Sequence, residues 1–361
     1  MQNLVTHGRF VSETLKVRQQ RPWNSPHRPM SAFCVQSAVW EAYIRNYRYD
    51  LFMHHSAQLP LLDYKGNEQK KMTLHLFLQI MGKIRLKSTP RKNHWWYVTE
   101  YVTTKGITTG PIPYNEGMDT FDITINVHRH QLEVSTSKGE AAGFSLLHGT
   151  SVADFYQQLS EILRRFNISV SILDKPYDVT IGKPFEQITQ YHHYEETYTQ
   201  NFWRILLWVD GVFKEFSGRF YGKTCPVHLY WHSMDLAVTR FSGKQAPAMP
   251  AEARISDKDA YSHECISFGF WGGDEKMPEP AFYSYTYPSP SGVDQEPLIP
   301  STAQWVDSNG SPMALLTYNN LLKATDPRAA LLGFLESAYI AGAKKADWDI
   351  EKMKVPELDN I

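Results

Sequence analysis

Three histidines and one glutamate stand where acid–base or metal chemistry needs them: His94 in NHWWYVTEYV, His228 in PVHLYWHSMDLAV, and the adjacent pair His263 and Glu264 in AYSHECISF. Imidazole titrates near neutral pH, so it serves as a general base or a metal ligand, and a neighbouring carboxylate can orient or ionise it. Three histidines with a carboxylate are also a donor set that suits a catalytic zinc with an open position. The spacing is not HExxH, since Ile266 and Ser267 follow where a second histidine would have to be. Arg240 and Lys244 flank a Ser-Gly turn in TRFSGKQAP and can grip a carboxylate or phosphate. Strand alternation puts His228, Tyr230 and His232 on one face and pairs His94 with Trp96. The expected site is His94, His228, His263 and Glu264 for the chemistry, with Arg240, Lys244, Trp96 and Tyr230 for binding. Asp235 has the opposite parity from His228 and joins only through a bulge or bend. The competing reading makes each histidine a half-buried, hydrogen-bonded part of the structure.

The elements that must position these residues come twice. An amphipathic helix with Leu74, Phe77, Leu78, Met81 and Ile84 on one stripe leads to the aromatic strand of His94. A second, with Phe202, Ile205, Leu206, Val209, Val212, Phe213, Phe216 and Phe220, leads to the strand of His228. Two strands follow in each half: FDITINV and HQLEVST around a tight His-Arg turn, then ECISFGFW and AFYSYTYP. Each half closes with a helix, the first capped by Ser151 with Asp154, the second opening at Asp326 with proline in its first turn. The expected class is α+β: two pseudo-repeated halves, each a helix, a four-stranded antiparallel sheet and a helix. Residues 1–55 read as a lead with a helix over Ala32 to His55 capped by Ser31, 56–175 as the first half, 176–200 as a connector, and 201–361 as the second half. The stretch from Asn167 carries Pro and Gly, with room for one strand. Helices on one sheet face leave the other needing cover, and a cleft at the junction of the halves is the natural ligand site.

Composition narrows the function. The net charge is -1 with Lys and Arg dispersed, which lacks the basic stripe that nucleic acid requires. No apolar run approaches the roughly 20 residues of a membrane span. Three cysteines and no apolar segment near the N-terminus fit a reducing, cytoplasmic setting. Cys225 and Cys265 beside the histidine motifs read as packing. Aromatic residues make up 13% of the chain, enough both for a core and for pocket walls. No GxSxG, CxxC, GxGxxG or DxDxDG motif occurs, so no reaction is named and no cofactor is required; a divalent metal is the one the donors suit.

The stretches NHWWYVTEYVTTKGITTGPIP, FWRILLWVDGVFKEF, PVHLYWHSMDLAVTRFSGKQAP and AYSHECISFGFWGG, in that order, resemble the bacterial family catalogued as domain of unknown function 5996. The resemblance runs from about Leu59 to about Trp348 and leaves the N-terminal lead outside. It implies bacterial origin and a soluble protein, and it brings no activity. The expected function is a small-molecule enzyme whose His- and Trp-lined cleft takes a polar or anionic metabolite. The alternatives are a non-catalytic ligand-binding or interaction protein with structural histidines, and a metal-dependent hydrolase using His94, His228, His263 and Glu264.

Overall fold

The structure, a computed structural model, describes residues 58–356, and from Leu59 onward the chain clusters as one compact unit. The helix expected between Ala32 and His55 lies outside the described residues. Helix α1, Glu68–Ser88, is buried along thirteen consecutive positions from Thr73 to Arg85. Its expected stripe is only one of its buried faces, since Leu76 and Ile80 on the other side are enclosed too, as befits a helix packed all round. At Gly82 the indole of Trp231 lies so close that a Cβ would sit 2.0 Å from its Cδ1. Only glycine fits there.

Two sheets follow. The first comprises β1 (Tyr101–Val102), β2 (Gly106–Thr108), β3 (Ile112–Tyr114), β4 (Asp119–Asn126), β5 (Gln131–Thr136) and β6 (Ala141–Ser145). Its order is β1-β2-β4-β5-β6, with β3 continuing along β4. Helix α2 (Val152–Arg165) begins at the expected Ser151–Asp154 capping box. Helix α3 (Glu196–Gly218) buries the predicted apolar face from Phe202 to Phe216, with the predicted Phe220 buried just beyond its end, and leads to the second sheet. That sheet holds β7 (His228–Tyr230), β8 (Asp235–Gln245), β9 (His263–Trp271), β10 (Ala281–Tyr287), β11 (Gln304–Ser308) and β12 (Ser311–Thr317), in the order β11-β12-β10-β9-β8-β7. Between them lie the short helices α4 (Ile255–Ala260) and, after β12, α5 (Tyr318–Leu322). Helix α6 (Pro327–Lys345), capped by Asp326, packs with α3 on one face of this sheet. Glu100 and Leu229 exchange both main-chain hydrogen bonds, at 2.9 and 2.8 Å, and so stitch the first strands of the two sheets together.

The architecture is α+β, but each sheet has six strands and not the expected four. The short β3 and β6 add to the first sheet, and the β11–β12 hairpin extends the second. The His94 segment is not a strand: Asn93–Trp95 is a 3-10 turn in which His94 and Trp95 take left-handed φ angles of 57° and 61°. The His228 strand is a hairpin turning over 231–234. The Ser-Gly turn after Arg240 is a bulge inside β8, between Phe241 and Gln245. The connector after Asn167 holds one 3-10 turn, Phe185–Gln187, and no strand. No helix among the described residues is long and apolar enough to cross a membrane.

Candidate functional site

Register divides the expected residues between the two faces of the second sheet. Antiparallel partners share a face, and His228 pairs with Ala237, Tyr230 with Asp235, and Phe241 with Cys265. His263, two residues before Cys265, points the same way. Arg240 and Glu264 have the other parity and face the helices. His94 and Trp96 reach the first face from outside, docking on Phe241 at ring distances of 4.6 and 5.7 Å. The structure thus brings together His94 and Trp96 from the first half with Tyr230 and His263 from the second. His94 and His263 are 5.4 Å apart, and the Tyr230 hydroxyl lies 3.5 Å from the His94 carbonyl oxygen.

A residue not expected from the sequence completes this corner. The Lys223 ammonium donates to His94 Nε2 at 3.0 Å, and His94 Nδ1–H donates to the Ala260 carbonyl at 3.2 Å. An ammonium can only donate and a carbonyl only accept, so His94 is neutral with its proton on Nδ1. Burial pushes its pKa down, and Lys223 and His263 add to the effect. Lys223 itself lies over the rings of Trp96 and Phe241, 5.3 and 5.0 Å from their centres, and burial lowers its pKa as well. No carboxylate among the described residues lies within ion-pair distance of it. The Ser262 hydroxyl donates to the Asp259 carbonyl and receives His263 Nδ1–H, each at 3.1 Å, which leaves His263 Nε2 with a free lone pair when the ring is neutral.

Along the same face runs a row of hydroxyls. Tyr283 donates to Asp235 Oδ2 at 2.5 Å while Ser233 donates to Oδ1, and the Tyr261 and Tyr285 hydroxyls meet at 3.0 Å. Thr239 and Ser267 pair at 3.0 Å between them. Burial holds the phenols of Tyr230, Tyr283 and Tyr285 well above their ordinary pKa, so they remain hydrogen-bond donors. Asp235 joins this face through a bend, as its parity required, because the chain reverses between Tyr230 and Asp235. The alternating tyrosines of AFYSYTYP were the sequence signal for it.

The other expected residues are engaged elsewhere. Arg240 is 1% exposed, with its guanidinium 3.5, 4.4 and 5.1 Å from the rings of Phe216, Tyr339 and Phe220. It donates to the Phe216 carbonyl and faces Glu336 at 3.6 Å, and burial lowers its pKa to about 10. Glu264 accepts from Ser242 at 2.7 Å, and exposed Lys244 reaches the Asp347 carbonyl at 3.4 Å. His228, though on the polar face, is 1% exposed with neither ring nitrogen hydrogen-bonded among the described residues, and burial lowers its pKa to about 3. The thiols of Cys225 and Cys265 are pushed up to about 12 by burial, as packing cysteines should be. No three His, Cys, Asp or Glu side chains among the described residues converge to hold a metal ion.

The pattern of one family, described as a family of unknown function (DUF5996), matches residues 59–355. The chain belongs to DUF5996. The match spans both sheets and every residue of the His94–Lys223–His263 corner. No curated protein and no solved structure matches.

Proposed function

We propose that this DUF5996 protein binds a small anionic metabolite at the His94–Lys223–His263 corner and exchanges a proton with it. The observation that carries this reading is Lys223, a cation laid on two aromatic faces and leaning on a neutral imidazole, without a carboxylate partner among the described residues. A carboxylate or phosphate supplies the missing charge, and the bound anion raises the proton affinity of both groups. His263 Nε2 is then the base within reach, and Tyr230 and the hydroxyl row receive the polar remainder of the ligand. A thermal-shift screen of carboxylated and phosphorylated metabolites tests this, since a ligand at a hundred times its dissociation constant stabilises by about 2.7 kcal/mol. Hits should vanish in Lys223→Met and persist in Lys244→Ala. Hits that are all neutral, or that survive Lys223→Met, overturn the proposal.

The burial of His228 favours a second reading, a ligand-binding protein without catalysis in which the histidines are structural. Incubating each hit with the protein in D2O and following it by NMR separates the two, because a ligand that neither changes nor exchanges a C–H proton for deuterium supports binding alone. The metal-dependent hydrolase is the weakest of the three. His94 has both ring nitrogens engaged and Glu264 faces the opposite side of the sheet. Metal analysis of untagged protein tests it, and stoichiometric metal lost in His94→Ala would restore it.

A further inference from the structure

A separate feature lies on α3. Its buried face, from Tyr198 to Phe216, is apolar except for Thr199 and Asp210, and an aspartate in such a stripe is costly unless its charge is used. Asp210 is 6% exposed, and among the described residues its ion-pair partner is Lys214 a turn later, at 2.5 Å, whose own side chain is 62% exposed. Both line an open groove of about 560 Å³. Its other walls include Tyr101 and Val102 of β1 and Pro226 and Val227 before β7, so a carboxylate sits among an aromatic ring and aliphatic surface. Burial keeps the Asp210 carboxyl above its ordinary pKa in spite of Lys214. Two residues before Val102, and on the same strand face, Glu100 is fully enclosed, with neither carboxyl oxygen hydrogen-bonded among the described residues.

We propose that this groove binds an alkyl amine, with Asp210 as the counter-ion, Tyr101 and the aliphatic wall around the methylene chain, and Lys214 as the internal ammonium that the ligand displaces. An anionic ligand is disfavoured by the carboxylate, and a neutral one leaves it with Lys214. The geometry makes an unusual demand: removing the partner of Asp210 should strengthen binding. This inference is independent of the His94 corner.

The test titrates the protein with butylammonium and with 1,4-diaminobutane, using butanol as the uncharged control, by calorimetry or NMR. Wild type should bind both amines and not butanol. Lys214→Ala should bind them about twofold or more tightly, as expected for loss of one exposed competing ion pair, with circular dichroism of the variant confirming that it is folded. Asp210→Asn should weaken both by about tenfold or more through loss of a charge-assisted hydrogen bond. Binding of butanol equal to that of the amines, unchanged binding in Asp210→Asn, or weaker binding in Lys214→Ala would each show an intramolecular ion pair only and overturn the proposal.

Discussion

Replacing Arg240 tests the division of the second sheet into two faces. The guanidinium stacks on Phe216, Phe220 and Tyr339, donates to the Phe216 carbonyl, and stands beside Glu336. Each cation–π contact is worth about 0.5–2 kcal/mol, with the upper end reached when the cation is desolvated. The charged hydrogen bond adds about 1.5–3 kcal/mol. These overlap, and breaking a buried charge arrangement by removing one partner costs about 3–5 kcal/mol in all. At about 2–4 °C per kcal/mol for a chain of this order, Arg240→Ala should lower Tm by roughly 10 °C. Arg240→Met keeps the apolar stack and leaves half-exposed Glu336 to water, so it should lose about half as much. Urea denaturation and thermal shift measure both, with and without an anionic hit. If Arg240→Ala melts within about 1 °C of wild type, the fall of several degrees expected from the buried stack is absent. If it also loses the ligand response, Arg240 is a free ligand contact and the two-faced picture is wrong.

Acid should destabilise the fold through its buried histidines. Burial holds both His75 and His228 at about 3, below the usual 6.5. The unfolded chain therefore binds protons that the native state refuses, and their contribution, complete above about pH 6.5, falls toward pH 3 by about 1.4 kcal/mol per pH unit for each histidine. Between pH 7 and pH 5, His228→Phe should shrink the stability loss by up to about 2 kcal/mol in urea titrations, and an unchanged loss would count against the burial argument. Glu100 has the opposite sign. Burial raises its carboxyl well above 4.5 against the pull of Arg85, so its contribution is full below that value and declines as pH rises. The stability of Glu100→Gln relative to wild type should therefore increase from pH 4.5 to pH 8, and a flat or falling difference would refute it.

The long helices were legible, α1 and α3 because their apolar residues recur with the right period, α2 and α6 because their caps were written in Ser151, Asp154, Asp326 and Pro327, while the short α4 and α5 were not foreseen. Strand edges were less so. The β11–β12 hairpin is announced by Asn309-Gly310, whose φ angles of 53° and 83° are those of a tight hairpin turn, so that signal was present. The turn over Trp231, His232, Ser233 and Met234 contains no Gly, Pro or Asn, so only Ser233 weakly marks the reversal that puts Asp235 beside Tyr230. Aromatic residues around His94 suit a strand, yet its packing against Phe241 and α4 wins and bends the backbone. Lys223, in YGKT, has no local mark at all. Its role arises only when the 93–97 turn from the other half settles over it.

The bond between Glu100 and Leu229 bears on how the chain can be divided. β1 has two residues and β7 three, so each is the innermost edge of its own sheet and is completed by the other. Cutting between the halves would leave the main-chain N–H and C=O of Glu100 and of Leu229 unpaired at a sheet edge, next to their buried side chains, and such an edge invites pairing with any other chain. The halves are therefore poor candidates for separate expression or exchange. Whatever the ancestry of their similar order, each now serves as the other's edge cover.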